Sequence, residues 1–478
     1  MGPEGGGPSR PADAALRRTL VVVSVGAFLS VLELTVVNVA LDTLESQLHG
    51  SIASVQWIVT AYLLALAATV PLTGWLSRRF GPRRLYIGAL ALFVVASGLC
   101  AIAWSVGSLV AFRVLQGAGG GALLPVAQAL AARAAGPARM RRAIGAVGSV
   151  GVIAPVIGPL VGGVIVDQAS WRWIFLINLP IGVAGVLMAL RSLPPDEPEE
   201  AGSLDWVGLL TLGAGLPMVT YALAELGQGA PPLAVQGLPL GAVGLALIGF
   251  FIVHAGAVPQ PLLELRLYRR RVFALAAAAM FTLGATLFGP YLLMPLFFQD
   301  VRGNTAIEAG LLFGAQGLGA GTSIWLGGRL HEVFTGPQLA LAGSVIAALF
   351  TAPLTVLDQD SATALFVADL ALRGFGIGLV FIPVYAIALG DLPRHLVADA
   401  TAQFNVLMRV GGAAATALIA VLLTQELQRH AADTAGMAAA YQDTWRWTMV
   451  IHLLAIVPTL MLARLARRGG LVAQPAGV

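Results

Sequence analysis

The stretch GVIAPVIGPLVGG at residues 151–163 decides the fold class of this chain. It is apolar enough to lie in lipid, yet Pro155 and Pro159 stand one helical turn apart within it. Prolines bend a helix and free backbone carbonyls, whereas Gly158 and Gly162, at positions i and i+4, allow a neighbouring helix to approach closely. This combination is typical of a membrane helix that packs tightly and moves against its neighbour, and it predicts a transporter.

The composition is that of an integral membrane protein. Of the 478 residues, 58% are hydrophobic and 11% are charged, which is outside the range of soluble domains. All 28 basic residues are Arg, and they lie mostly in short loops between apolar runs, so we expect no nucleic-acid partner. The single Cys100 excludes a disulfide within the chain, and the six His residues show no metal-ligand spacing. We therefore expect no metal site.

Apolar runs of about 20 residues, long enough to cross a bilayer, predict an all-α membrane protein with fourteen helices. The predicted spans are residues 20–41, 55–76, 85–104, 108–132, 143–166, 173–190, 206–226, 236–256, 272–299, 309–330, 338–357, 362–390, 402–425 and 445–464. The first run is interpreted as a membrane helix because no cleavage site for a signal peptide follows it. Most Arg residues fall in loops on one side, which predicts a multi-pass protein of the cell membrane with both termini in the cytoplasm.

One sequence pattern recurs around Arg113 and Arg373, and a second recurs between residues 74–82 and 328–337. Arg113 precedes a run of alternating glycines and so does Arg373, 260 residues later (373 − 113). Parallel repeats of this kind are typical of transporters with a binding site near the middle of the membrane. The predicted units are a tail at 1–19, a six-helix bundle at 20–193, an acidic linker with two inserted helices at 194–265, a second six-helix bundle at 266–464 and a tail at 465–478.

Several motifs in order resemble a known family. They are LELTVVNVAL (32–41), QWIVTAYLLALAATVPLTGWL (56–76), GWLSRRFGPRR (74–84), RVLQGAGGG (113–121), GPLVGG (158–163), WRWIFLINLPIG (171–182), LDWVGLL (204–210), PLFFQDVRG (295–303) and ATAQFNVLMRVGG (400–412). The chain resembles the 14-helix drug:proton antiporter branch of the major facilitator superfamily, the EmrB/QacA-like group. The resemblance implies two six-helix bundles plus two inserted helices. It also implies multidrug efflux driven by the proton gradient, without a cofactor.

The resemblance also assigns residues to gating and helix packing. These residues are Gly74, Arg78, Gly81, Arg83, Gly117, Pro155, Gly158, Pro159, Gly162 and Gly163. Gly158, Pro159, Gly162 and Gly163 match a signature associated with antiporters. At the position of Arg78 the family usually carries an Asp that makes a charge contact. Either this contact has reversed signs here, or gating depends on other groups, and we expect Arg78→Asp to be tolerated.

Four charged residues inside predicted helices are candidates for proton coupling. An acid within a membrane helix is costly, so Glu33 is expected to face the interior and to exchange a proton during transport. Arg113 is its expected counter-charge. Asp369 and Arg373 stand four residues apart and can neutralise each other. The alternative for both pairs is a permanent structural ion pair.

A further set of residues could line a substrate cavity. Glu225, Tyr221 and Met218 near one helix end would suit a lipophilic cation, although they could equally form a solvated helix end. Phe288, Tyr291 and Phe298 form an aromatic stripe that serves either packing or binding. Gln116 and Asn38 complete the candidates, whereas Arg409 is assigned to packing.

The sequence predicts an exporter of amphipathic, possibly cationic, drug-like molecules, with protons and the lipid bilayer as the other partners. A dedicated exporter of one endogenous metabolite, such as a self-made antibiotic, is the nearest alternative. A membrane protein without transport activity is a remote one. Because no phosphate-binding loop or nucleophile–base set is present, we do not expect an enzyme. Whether a periplasmic adaptor takes part stays open.

Overall fold

The computed structural model describes residues 10–49, 52–196, 202–226, 237–390, 392–430 and 433–467. Within these ranges the regular elements are helices, and no β-strand occurs. A helix pairs its backbone donors and acceptors within one segment, whereas lipid offers no hydrogen-bond partner to an unpaired group. The all-α fold predicted from the apolar runs is thereby confirmed.

The first half contains six long helices. These are α1 (Arg10–Val36), α2 (Ile52–Thr69), α3 (Pro82–Ala101), α4 and α5 (both within Val106–Gln168) and α6 (Asn178–Ser192). The Val106–Gln168 helix bends at Gly136, whose φ of 65° suits glycine, so α4 denotes residues 106–135 and α5 denotes 137–168. Shorter helical segments join them: Val37–Ala40, Leu41–Leu48, Val70–Leu72, Thr73–Phe80 and Arg172–Leu176.

Two helices lie between the halves in sequence, and six more follow. These eight are α7 (Trp206–Leu226), α8 (Gly237–Ala257), α9 (Arg271–Leu296), α10 (Ala306–Val333), α11 (Gly336–Leu349), α12 (Thr363–Leu389), α13 (Arg394–His430) and α14 (Thr434–Leu465). The short segments are Leu265–Arg269 before α9, a π-helical turn at Phe297–Val301 and Pro353–Thr355.

Twelve helices among the described residues are long and apolar enough to cross a membrane. They correspond to all the predicted spans except α5 and α10, which are helical but are not among the twelve. The count of fourteen stays a prediction, and the structure is compatible with it. Several helices extend past the apolar runs, since α1 begins at Arg10, within the predicted tail, and α14 begins at Thr434. Polar ends can continue a helix because propagation depends on backbone bonds rather than on hydrophobicity.

Each half is a bundle with its own contacts. In the first half, α1, α2 and α3 pack against the α4–α5 rod, and α6 packs against α1 and α3. In the second half, α12 packs against α10 and α11, while α9 packs against α13 and α14. The inserted helices α7 and α8 pack against each other, and α7 also contacts α2 of one half and α13 of the other.

The two halves meet where the termini lie. Because successive spans alternate in direction, α1 begins and α14 ends on one side, which we call the termini face. Near this face, Gly145 and Gly148 of α5 contact Ile382 and Phe381 of α12. The Arg78–Asp399 pair and the hydrogen bonds of Gln128 to α12 and α13 also join the halves on this side. The structure is therefore closed toward the termini face.

Candidate functional site

Glu33 and Arg113 form a buried ion pair between α1 and α4. Arg113 Nη1 donates to Glu33 Oε1 at 2.6 Å, and Asn178 Nδ2 of α6 donates to Glu33 Oε2 at 2.8 Å. Both charged side chains are fully buried. The predicted partners are thus brought together, with Asn178 as a third member that the sequence analysis missed. Its signal was a lone amide within the apolar run IFLINLPIG.

Further polar groups hold Arg113 in place. Gln116, three residues later on the same face of α4, accepts from Arg113 Nη1 at 2.6 Å and donates to Ser97 Oγ at 2.7 Å. Arg113 Nε donates to the carbonyl of Ile58 at 3.0 Å, and its guanidinium lies 4.1 Å from the Tyr62 ring centroid. Gln116 is fully buried in this cluster. The structure therefore places Gln116 in the buried cluster around Arg113, and not in the wall of a substrate cavity.

Arg373 of α12 has an equivalent surrounding in the second half. It is fully buried, donates to the Thr286 carbonyl at 2.6 Å and to Thr351 Oγ1 at 3.2 Å, and also bonds Gln316. Its Nη2 lies 3.3 Å from Nε2 of His452, whose Nδ1 lies 2.9 Å from the Thr448 carbonyl. Since Arg is a donor only, His452 Nε2 accepts and the ring is neutral in this arrangement.

The direct Asp369–Arg373 ion pair expected from their spacing does not form. The four-residue spacing allows contact on one helix face, but Arg373 instead extends toward α9, α10 and α14. Asp369 is buried, and its Oδ2 has no hydrogen-bond partner among the described residues. The three neighbouring helices supply Arg373 with more acceptors than one carboxylate could.

The two Arg clusters are related by the internal repeat. Ser97, which accepts from Gln116 in the first cluster, and Thr351, which accepts from Arg373 in the second, are 254 residues apart (351 − 97), close to the spacing of Arg113 and Arg373. The first cluster contains an acid on α1, Glu33, whereas the corresponding helix α9 offers only the backbone carbonyl of Thr286. The carboxylate in direct contact with the cluster Arg is thus a feature of the first half alone among the described residues.

Charge and amide contacts join the halves near the termini face. Arg78 pairs with Asp399 of α13, and a Cβ on Gly74 would collide with that carboxylate. A contact with reversed signs was one of the two alternatives at Arg78. Closer to the membrane centre, Asn405 Nδ2 of α13 donates to Gln128 Oε1 of α4 at 2.8 Å. The Tyr385 hydroxyl of α12 donates to the same oxygen at 3.3 Å.

Arg83 and Gly81 make contacts inside the first half and with the following linker. Arg83 Nη2 donates to the Leu190 carbonyl at 2.6 Å, near the end of α6. The amides of Arg83 and Arg84 donate to the Asp196 carboxylate at 2.8 and 3.0 Å, capping the start of α3. Gly81, with φ of 86°, leaves no room for a side chain beside Asp196. These residues fasten a loop, whereas Arg78 bridges the halves.

The predicted cation site on α7 faces other helices. Tyr221 stacks on Trp57 of α2 with ring centroids 5.5 Å apart. Glu225 and Met218 lie against Gly237 and Gly244 of α8, on the side where α7 and α8 pack. The three residues therefore lie at the contacts of α7 with α2 and α8.

The aromatic stripe of α9 divides into two parts. Phe288 and Tyr291 are half-buried neighbours with centroids 5.6 Å apart, and Tyr291 also contacts Phe313 of α10. Phe298 is fully buried beyond the end of α9, among Phe297 and Phe366. The hypothesis that Phe298 lines a cavity is wrong, because the π-helical turn rotates it into the hydrophobic core.

The predicted packing residues differ in their surroundings. A Cβ on Gly117 would meet the backbone of Tyr62 in α2, and one on Gly158 would meet Thr35 and Val36 of α1. Gly162 is buried, whereas a Cβ on Gly163 would meet no atom within 4 Å. Gly158 has the close approach expected of a packing glycine, and Gly163 has none. The side chains of Asn38, Pro155 and Pro159 lie outside the described part of the chain.

One group of potential metal ligands occurs in the described ranges, and it shares no residue with either Arg cluster. The ligand atoms of Glu426, His430 and Asp443 lie within 4.8 Å of one another. Arg429 and Arg446 already pair with the two carboxylates. Local cations therefore compete for the acids, and we assign no metal to them.

Comparison with known proteins identifies the family. Residues 23–416 match the Major Facilitator Superfamily. The chain belongs to that superfamily. Its similarity extends to a multidrug resistance protein B homolog of Mycobacterium tuberculosis, 35% identical over 87% of this chain and 77% of the relative.

Two other relatives support this membership in the superfamily, and one solved structure shows the same fold. The multidrug export protein EmrB of Escherichia coli is 30% identical over 86% of this chain and 81% of its own length. The probable transport protein HsrA of Haemophilus influenzae is 30% identical over 94% and 96%, respectively. The crystal structure of the human organic anion transporter MFSD10 (TETRAN) covers 91% of this chain and 99% of its own, with a TM-score of 0.60 at 15% identity. It supports the major facilitator fold.

Proposed function

We propose that this protein exports amphipathic, drug-like molecules across the cytoplasmic membrane in exchange for protons, by alternating access between two six-helix halves. The names of relatives such as EmrB support drug export. The concentration of Arg on the termini side supports a cytoplasmic location for both ends. Energy would come from the proton gradient, without a cofactor.

The observation that carries the proposal is the buried Glu33–Arg113 pair. A carboxyl group fully removed from solvent lies 2.6 Å from a guanidinium nitrogen and accepts a hydrogen bond from the Asn178 amide. Protonation removes the charge attraction that joins α1 to α4. It also leaves Arg113 with fewer acceptors, which favours a rearrangement of the three helices.

The same cluster couples the proton to helix packing. α1 is tied to α4 by a second contact, since Ser30 Oγ donates to the Gly120 carbonyl at 2.8 Å, and to α2 by the Tyr62 hydroxyl bonding the Ser30 carbonyl at 2.9 Å. A change of charge on Glu33 therefore acts where three helices meet. Two discrete arrangements of such a junction are what alternating access requires.

The test uses everted membrane vesicles and a fluorescent drug-like dye. Glu33→Gln should abolish dye accumulation driven by an imposed pH gradient while downhill dye exchange continues. Glu308→Gln is the matched control, because Glu308 is exposed and Gln preserves its capping box with Thr305. Gradient-driven accumulation at the wild-type rate in Glu33→Gln would refute the coupling role. Absence of any dye movement in the wild type would refute drug export.

Breadth of substrate is measured in the same assay. A panel of unrelated dyes separates a multidrug exporter, which moves several of them, from a dedicated exporter, which moves none or one.

A further inference from the structure

Arg409 of α13 carries a charge for which the described residues supply no counter-ion. Its Nε is buried and has no hydrogen-bond partner among the described residues. The hydroxyls of Tyr62 in the first half and Tyr385 in the second are its electrostatic neighbours. Arg113 and Arg373, by contrast, are each held by several acceptors. Arg409 therefore differs from both cluster arginines, and packing does not account for it.

The location of Arg409 is central. It lies one helical turn from Asn405, on the side away from the termini face, and Asn405 is part of the amide contact that closes the halves. The Arg409 side chain is partly buried, so part of it is not covered by the described residues. Arginines inside a membrane protein either pair or line a water-filled path. Without a partner in the described part of the chain, Arg409 belongs to the second class.

Unused polar atoms lie beside it. Gln128 Nε2 and Asn405 Oδ1 are buried and have no hydrogen-bond partner among the described residues. Both side chains are at most 1% exposed. Leaving such atoms unpaired is costly, because they have lost their hydrogen bonds to water without gaining others. The contact between the halves thus carries a cation and two unsatisfied amide atoms, a donor and an acceptor, which could receive a polar group.

Two of the buried acids are occupied, since Glu33 is enclosed by Arg113 and Asn178, and Asp399 is paired with Arg78. Asp369 Oδ2 and Glu225 Oε2 have no hydrogen-bond partner among the described residues, but Asp369 stands near the start of α12 and Glu225 lies against α8. Arg409 is the charged side chain next to the amide contact between the halves.

We propose that Arg409 is the charge-recognition residue of the substrate cavity and that the transported molecules carry an anionic group, such as a carboxylate, on an amphipathic body. The proposal rests on the export function above and refines its substrate class. Arg409 donates charge-assisted hydrogen bonds to the anion. Gln128 Nε2 is a second donor for the anion, whereas Asn405 Oδ1 can only accept from an N–H or O–H group on the body of the molecule.

The experiment varies charge on one fluorophore. Purified full-length protein in detergent is titrated at pH 7 with dansyl-valine, its methyl ester and dansylcholine, and binding is followed by dansyl fluorescence. The wild type should bind the acid about tenfold more tightly than the ester, as expected for one charge-assisted contact. Arg409→Gln should abolish that preference without weakening the ester, and Arg409→Lys should retain part of it. Arg429→Gln, at the exposed end of the same helix, is the control.

Each outcome decides a separate question. Equal binding of acid and ester by the wild type, preference for dansylcholine, or binding of none of the three overturns the anion proposal, even if Arg409→Gln does not fold. An acid preference that persists in a folded Arg409→Gln protein removes Arg409 from the site. Acid binding without movement of any probe into everted vesicles leaves the charge preference standing and contradicts the export function instead.

Discussion

Arg78, at the end of the segment that prolongs α2, pairs with Asp399 of α13 across the two halves. The two side chains are 16% and 3% exposed, so water screens the pair only weakly. Gly74, one turn before Arg78, leaves the space into which the Asp399 carboxylate fits. The pair therefore stabilises the arrangement closed toward the termini face, and opening this face requires the two charges to separate.

This contact reverses the expectation that Arg78→Asp is tolerated. The substitution places two carboxylates together, which should reduce the transport rate by about tenfold, the effect of roughly 1.4 kcal/mol on a conformational equilibrium. The double variant Arg78→Asp/Asp399→Arg should recover most of the rate, because the pair re-forms with exchanged signs. The measurement is initial dye transport in everted vesicles at equal protein levels. Arg83→Asp serves as a comparison that the Asp399→Arg change should not rescue, since Arg83 bonds within its own half. Equal rates for Arg78→Asp and the wild type would show that this pair does not control gating.

Gly158 and Gly163 provide a matched pair of substitutions on α5. Gly158→Ala should lower stability by about 1–3 kcal/mol, because the added methyl group meets Thr35 and the Val36 backbone of α1. Gly163→Ala should leave stability unchanged or raise it slightly, since the position is open and Ala favours a helix. Thermal unfolding in detergent, monitored by size-exclusion chromatography after heating, separates the two. A Gly163→Ala protein that is the less stable of the pair would contradict the packing assigned to α5.

Asp205 gives the linker a pH-dependent anchor. Burial alone would raise the pKa of Asp205, but hydrogen bonds from the Gly208 amide, the His254 ring and the Leu262 amide outweigh it and lower that pKa. A lowered folded-state pKa gives stability that is present at neutral pH and is lost as the pH falls through that folded value. Asp205→Asn should therefore lower stability at pH 7 by about 1 kcal/mol, the typical net value of one hydrogen bond, because Asn keeps only one of the two acceptor oxygens. Below about pH 4, near the ordinary Asp pKa, the difference should shrink. Unfolding temperatures of both proteins from pH 3 to 8 test this, and a constant difference across that range would exclude the anchor.

The sequence was sufficient for the fold because membrane helices are encoded locally. An apolar run long enough to cross the bilayer must be helical, and the repeat around Arg113 and Arg373 indicated two related halves before any contact was known. The sequence also predicted that Glu33 and Arg113 belong to one site, because an isolated acid in a membrane helix needs a partner. The helix ends were predicted less well, because α1 and α14 continue beyond the apolar stretches from which they were predicted.

The wrong predictions are those that depend on the direction in which a side chain points. Asp369 and Arg373 stand four residues apart, which suggested an ion pair, but Arg373 donates its hydrogen bonds to groups on other helices. The stripe on α9 suggested that Phe298 faces a cavity, but one π-helical turn moves it into the core. Asn178 and Asn405 were overlooked because a single amide in an apolar run has no partner that sequence alone can name.

The sequence by itself determined that this chain crosses a membrane many times as two related helical bundles, and that an acid and an arginine are placed among them. Only the tertiary structure decided which charges neutralise each other. Glu33 is closed by Arg113, Asp399 is paired with Arg78 and Arg409 has no partner among the described residues. The physical reason is that hydrophobicity and helix formation act over neighbouring residues, whereas ion pairing depends on distances between helices that lie far apart in the chain.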